Sequence, residues 1–299
     1  MAAPMNAPHD VLHRFRLERA GVRGGFVRLE SARADLPGYA GYPPAIARLL
    51  AESLAASALM SGLIKFEGNL SLQLRSTGVP HLLFAECSDD GRLRGIARWE
   101  GEVADAPIDI RQPGAQLAIT IENTRASTRY QGLVEVASAS LAPALEGYFA
   151  QSEQLPTRLV LAWRDGRCSG LLLQPLAGEG GASARVDDDA WERVGHLLAT
   201  LGSEELLDLP VETLLYRLFH EEQVRLEPGR PLRFACRCSP GRVGDMLRAL
   251  GRQECDAALD AEGGLGITCE FCNREYRVDR VALALVFAEA VAPAPDTVQ

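Results

Sequence analysis

Four of the seven cysteines fall in two short pairs, Cys236-Arg237-Cys238 and Cys269-Glu270-Phe271-Cys272, with thirty residues between the pairs. Two such pairs brought together supply the four thiolates of a tetrahedral zinc site, with Zn–S distances of about 2.3 Å. A tight pair costs little loop entropy, and the metal closes the long loop between pairs. A set of buried apolar thiols is the plainer reading, but Arg237, Arg242, Glu270, Asn273 and Arg274 make both neighbourhoods too polar for it. The predicted cofactor is therefore one zinc ion on Cys236, Cys238, Cys269 and Cys272. Thiolates deprotonated by a metal are also nucleophiles toward oxidants, and each has a second thiol close by in sequence. Oxidation would consume the ligands, release the metal and unfold the module around it. A static structural zinc site is the other reading, and the spacing leaves both open.

The other reactive residue types are less telling. Cys255 stands in Glu254-Cys255-Asp256, where flanking carboxylates raise a thiol pKa and make it a spectator with some tendency to off-pathway disulfides. Cys87 and Cys168 lie in or beside apolar runs and read as core. The five histidines, His9, His13, His81, His196 and His220, show no metal or triad spacing. There is no phosphate-binding loop, nucleophile elbow or zinc-protease motif, and Gly178-Glu179-Gly180-Gly181 is not followed by the helix of a dinucleotide site. No catalytic residues are assigned. An enzyme on the N-terminal domain, with a purely structural C-terminal zinc, is the alternative function.

These cysteines need elements to position them. A chain of 299 residues predicts two domains and can bury a core without a metal. With 47% apolar and 24% charged residues it is neither disordered nor fibrous, and a net charge of −9 argues against nucleic acid as partner. The apolar run at 281–288 is far short of the ~20 residues of a membrane span, and the first fifteen residues lack a secretory core. No membrane helix and a cytoplasmic location, where thiols stay reduced, are expected.

The charge is unevenly spread. Residues 1–176 carry 18 basic and 18 acidic side chains, residues 177–230 carry 5 and 12, and residues 231–299 carry 8 and 10. The expected class is α+β: an N-terminal antiparallel-sheet domain with packed helices over 1–176, an acidic helical linker over 177–230, and a small zinc-binding domain over 231–299. Helical spacing of Ile46, Leu49, Leu50, Leu54 and Met60 predicts a long buried helix within 42–65, and a second helix falls at 141–151. Strands are expected at 70–74, 81–87, 93–99, 117–122, 130–136, 158–163 and 171–174, separated by turns such as Asp89-Asp90-Gly91. The linker opens on Gly178, Gly180 and Gly181, with acidic residues Asp187 to Asp189 at the start of its first helix. Ser203 caps a short helix, and Pro210 begins a third. Trp191, Leu198, Leu215, Leu218 and Phe219 form stripes that must dock on the N-terminal sheet. One-sided docking and self-repelling charge place this linker at the low-stability end. The last segment is so small that its metal would supply folding energy.

The chain resembles the 33 kDa chaperonins, redox-regulated holdases, from end to end. The resemblance rests on the two cysteine pairs and their spacing, on Tyr148-Phe149 followed by Ser152-Glu153-Gln154-Leu155-Pro156-Thr157-Arg158-Leu159, and on Arg129-Tyr130-Gln131-Gly132. It also rests on Leu93-Arg94-Gly95-Ile96-Ala97-Arg98, Val22-Arg23-Gly24, and the block from Leu214-Leu215-Tyr216-Arg217 to Glu221-Glu222. It implies zinc on the four cysteines when reduced, and disulfides joining Cys236 with Cys238 and Cys269 with Cys272 when oxidised. It further implies metal loss, unfolding of the C-terminal module, undocking of the linker, and ATP-independent holding of unfolded or misfolded clients by a dimer. Clients would then pass to ATP-dependent foldases. Cys255 is the departure that bears on the order of disulfide formation.

Overall fold

Pro43 and Pro44 start the helix that organises the protein, since a fixed φ suits the first helical turn and neither residue needs to donate. In the computed structural model, which describes residues 10–30, 41–176, 188–260 and 262–288, this helix α1 runs Pro44–Leu63. From Ala45 to Ser61 every residue but Arg48 is buried. The hydroxyls of Ser53, Ser57 and Ser61 donate back to Leu49 O, Leu54 O and Ala58 O, which satisfies them without solvent. Among the described residues α1 alone is long and apolar enough to cross a bilayer, and 83% of its apolar window is buried inside the protein. It is a core helix.

Two six-stranded sheets flank it. The first contains β1 (Val11–Leu17), β2 (Val22–Leu29), β8 (Arg158–Arg164), β9 (Arg167–Pro175), β10 (Val224–Leu226) and β11 (Arg230–Pro231), in spatial order β10-β1-β2-β9-β8 with β11 also on β1. The second has the order β12-β5-β4-β3-β6-β7, from β3 (Gly68–Arg75), β4 (Leu82–Ser88), β5 (Arg92–Arg98), β6 (Gln116–Asn123), β7 (Thr128–Glu135) and β12 (Arg233–Phe234). Pairing is antiparallel except between β12 and β5. All seven expected strands are present. α1 packs on β2 and β9 of one sheet and β4 and β5 of the other, and α2 (Leu141–Gln151) closes the same core.

The first sheet is apolar on both faces. Leu12, Val27, Leu29, Cys168 and Leu172 face α1, whereas Phe15, Leu17, Val22, Phe26, Leu171 and Leu173 point the other way. That outer face is covered by α3 (Asp188–Ala199), α4 (Ser203–Asp208) and α5 (Val211–Phe219). The α4 cap differs from expectation: Gly202 is the N-cap, Ser203 is the first helical residue, and Glu205 Oε2 accepts from Gly202 N at 3.4 Å. The glycines at 178, 180 and 181, Asp187, His9 and the tail from 289 lie outside the described residues.

Two compact units divide the chain between Ala235 and Cys236. The helices α3 to α5 and the strands β10 to β12 belong to the first, because β10 and β11 add to β1, β12 adds to β5, and Leu232 enters the α1 core. The second unit contains α6 (Pro240–Leu250), α7 (Arg252–Ala257), β13 (Gly264–Thr268), β14 (Glu275–Asp279) and α8 (Arg280–Ala288). Among its described residues the buried apolar set is Val243, Leu247, Cys255, Leu265 and Leu283.

Candidate metal centre

Cys236 and Cys238 precede α6, whose N-cap Ser239 accepts from Arg242 N at 3.2 Å. Cys269 to Cys272 form the tip of the β13–β14 hairpin. There Asn273 N donates to Cys269 O at 2.7 Å and Cys269 N to Arg274 O at 2.9 Å, while Asn273 takes the left-handed conformation at φ 53°. Asn tolerates that region, so the residue after the second pair is what turns the hairpin.

The two segments bring all four Sγ atoms within 4.8 Å of one another. Cys236 and Cys269 are 3.5 Å apart, Cys238 and Cys272 3.4 Å. A tetrahedral ion with Zn–S of about 2.3 Å separates its sulfurs by roughly 3.8 Å, so the cluster has the dimensions and the donor set for zinc. The Tyr276 hydroxyl is sealed from solvent without a well-aligned partner. It neighbours Cys238 and could donate a hydrogen bond to that sulfur if the sulfur held a metal. Burial raises the Cys236 thiol to about 12. Burial also pushes Cys238 up, but the neighbouring Tyr276 hydroxyl and Cys272 thiol, then Cys236 and Cys269, more than offset it and bring it to about 7. Ser239 and Tyr276 were not singled out from sequence, and Asn273 was named only as a polar neighbour; Ser before Pro and Asn after a Cys pair were the available signals.

The other three cysteines are buried thiols. Burial pushes Cys87 up to about 11, against a hydrogen bond from Ser61 Oγ at 3.2 Å. Burial raises Cys168 as well. For Cys255 burial is the main cause, ahead of the Asp256 carboxylate that sequence reasoning emphasised, and its Sγ contacts Leu247 O at 3.6 Å.

The linker residues meet on the outer face of the first sheet. Leu198, Leu215, Leu218 and Phe219 are buried there, with Trp191 packed at the margin under Arg158. The Phe219 ring stacks on Phe15 of β1 at 6.5 Å between centroids. Docking is not by apolar stripes alone. Arg164 and Arg167 of the sheet reach Asp208 at 2.7 and 3.1 Å and Arg28 donates to Leu209 O at 2.6 Å, while within the linker itself Arg193 pairs with the buried Glu222 at 2.8 Å. Part of the linker's acidity is thus used in fixing it.

Known proteins bear on this arrangement. The Hsp33 protein family matches residues 10–279. The 33 kDa chaperonin of Nitrosococcus oceani is 42% identical over 289 residues, covering 96% of this chain and 98% of that protein. That of Pseudomonas aeruginosa PAO1 is 41% identical, with 96% and 97% covered. A crystal structure of the Thermotoga maritima 33 kDa chaperonin shares the fold, with a TM-score of 0.75 at 19% identity over 95% of this chain and 99% of that one. The chain, with its paired cysteines at one centre and its α+β platform, therefore belongs to the Hsp33 family of chaperones.

Proposed function

We propose that this protein is an ATP-independent holdase switched on by oxidation of its four clustered cysteines. The observation that carries the reading is the gathering of four thiols within 4.8 Å in a unit whose described residues include five buried apolar ones. In the reduced form Cys236, Cys238, Cys269 and Cys272 hold one zinc ion, which supplies cross-linking energy to a unit too small to fold firmly without it. Peroxide takes two electrons from each pair, so that Cys236 joins Cys238, Cys269 joins Cys272, and two waters form per pair. The ligands are then consumed and the second unit loses its fold.

Residues 177–230 act as the responsive linker between a stable platform, 1–176, and the switch, 231–299. Undocking of the linker bares Phe15, Leu17, Val22, Phe26, Leu171 and Leu173, an apolar surface suited to unfolded or misfolded clients. The open form pairs with a second copy, and reduction returns clients to ATP-dependent foldases. Reversible thiol chemistry fits a cytoplasmic location. The test oxidises the zinc-loaded protein with peroxide under mild heat and follows zinc release beside suppression of a client's aggregation. Both should rise together. Zinc loss without suppression would instead favour an enzyme with a structural zinc.

A further inference from the structure

Three distant stretches of the chain meet at a cleft that the redox reading leaves unused. β2 brings Arg23, β7 brings Tyr130, and α2 with the turn after it brings Tyr148, Phe149, Glu153 and Leu155. The end of α1 and the inner face of β6 complete mostly apolar walls around about 320 Å³. A cleft of this size, apolar with a few fixed polar groups, is the usual form of a small-molecule site.

Its polar groups are held by other side chains. Gln174, itself buried, donates through Nε2 to Thr157 Oγ1 at 3.1 Å and accepts from Arg23 Nη2 at 2.9 Å. The guanidinium is thereby fixed in one orientation. Among the described residues no carboxylate pairs with Arg23, its buried Nε has no hydrogen-bond partner, and Nη2 alone is engaged, on Gln174. The phenols are already engaged: Tyr148 and Tyr130 both donate to Glu153 Oε1, at 2.6 and 2.7 Å. Gly132 makes this possible, since a Cβ there would stand 2.1 Å from Tyr148 Oη. The adjoining hollow is lined by Arg14, Arg16, Arg23 and Lys65, and Glu227, its one acid, is paired with Arg14 at 2.7 Å. An anion is therefore drawn to Arg23 and repelled from Glu153.

We propose that this cleft binds a small amphipathic carboxylate, with its head group on Arg23 Nη1 and a medium-length acyl chain against Ile121, Phe149 and Leu155. A pre-oriented cation without a counter-ion in a partly desolvated site gains most from a bidentate or charge-assisted partner. A free acyl anion fits better than a polypeptide segment, whose repeated main-chain donors and acceptors would go unmet along the apolar walls. The site is separate from the thiol centre and does not depend on its chemistry.

Calorimetry on the full-length, reduced, zinc-loaded protein tests this with decanoate, decan-1-ol and acetate. Decanoate should saturate one site, bind at least about tenfold more tightly than either of the others, and lose at least about tenfold in Arg23→Gln at unchanged zinc content. Equal binding of decan-1-ol, an unaltered affinity in Arg23→Gln, or no saturable binding would overturn the proposal. Should that variant fold poorly, decanoate carrying a photoactivated diazirine on its chain should label the wild-type protein in peptides spanning 119–130 or 148–155. Label confined to other peptides would overturn it. All arms use reduced protein, so failure of oxidative activation leaves this result standing.

Discussion

The Sγ atoms of Cys238 and Cys272 lie 3.4 Å apart although the residues are 34 positions apart in the chain. This contact joins the segment before α6 to the β13–β14 hairpin, and the contact of Cys236 with Cys269 at 3.5 Å does the same. One lost ligand unties the two. Binding energies of about 10–16 kcal/mol for structural zinc in small peptides are larger than the few kcal/mol that a core as small as this one usually supplies. Cys272→Ser should therefore lower zinc content to near zero in a competing chelator. It should also abolish hydrogen-exchange protection over 240–288 while β1 to β9 stay protected. Retained protection in α6 and the hairpin would contradict a metal-dependent fold.

Disulfide pairing after peroxide is a separate outcome, because the geometry offers a rival. Thiol contacts of 3.5 and 3.4 Å run between the pairs, whereas the proposed bonds close the short sequence-local loops of Cys236 with Cys238 and Cys269 with Cys272. Peptide mapping should recover the local bonds. Cys87, Cys168 and Cys255 should stay unalkylated in the native reduced protein, since burial raises each thiol pKa and depletes the thiolate near neutral pH. Bonds between the pairs, or a bond to Cys255, would refute that assignment.

Linker docking can be loosened without touching the metal. Phe219 is fully buried against Phe15, and replacing it with Ser should cost about 3–5 kcal/mol in lost packing. Leu215→Ser should act in the same direction. Hydrogen exchange over 188–222 should accelerate with zinc still bound, and unchanged protection would show that these side chains do not hold the linker.

The two acidic anchors should differ in weight. Asp208 is 44% exposed where it meets Arg164 and Arg167, so Asp208→Asn should loosen the linker only slightly and the effect should fade in salt. The Glu222 carboxylate is only 2% exposed beneath Arg193. Glu222→Gln should loosen the linker by about 1–3 kcal/mol, with little salt dependence. Equal effects in a denaturation series would mean that burial does not set their contributions.

Much of the fold was legible because the strands of the second sheet and the pair β8–β9 are apolar runs broken by turn residues, and α1 has an unbroken helical stripe. The hairpin β1–β2 was missed. Arg14 and Arg16 alternate with Phe15 and Leu17 as a strand requires, but Gly24 and Gly25 disguise β2. The reason for Gly24 is spatial: a Cβ there would lie 2.2 Å from the Phe15 ring, the same ring that receives Phe219. The four cysteines were legible from type and spacing alone. Tyr276 was not, because its value comes from facing Cys238, which no local pattern encodes. The short strands β10 to β12 were not legible either, since two or three residues each carry no period and are fixed by the strands they join.

The first sheet, apolar on both faces, has a consequence for how long an open state can last. In the proposed open state, with α3 to α5 lifted, each uncovered face would be competed for by clients and by other copies of the chain. Client capture would scale with the product of client and opened-protein concentrations, and pairing with the square of the opened protein's own. The ratio of client to chaperone, more than the amount of oxidant, would then set how much of the opened protein meets a client first and how much pairs first with its own copies.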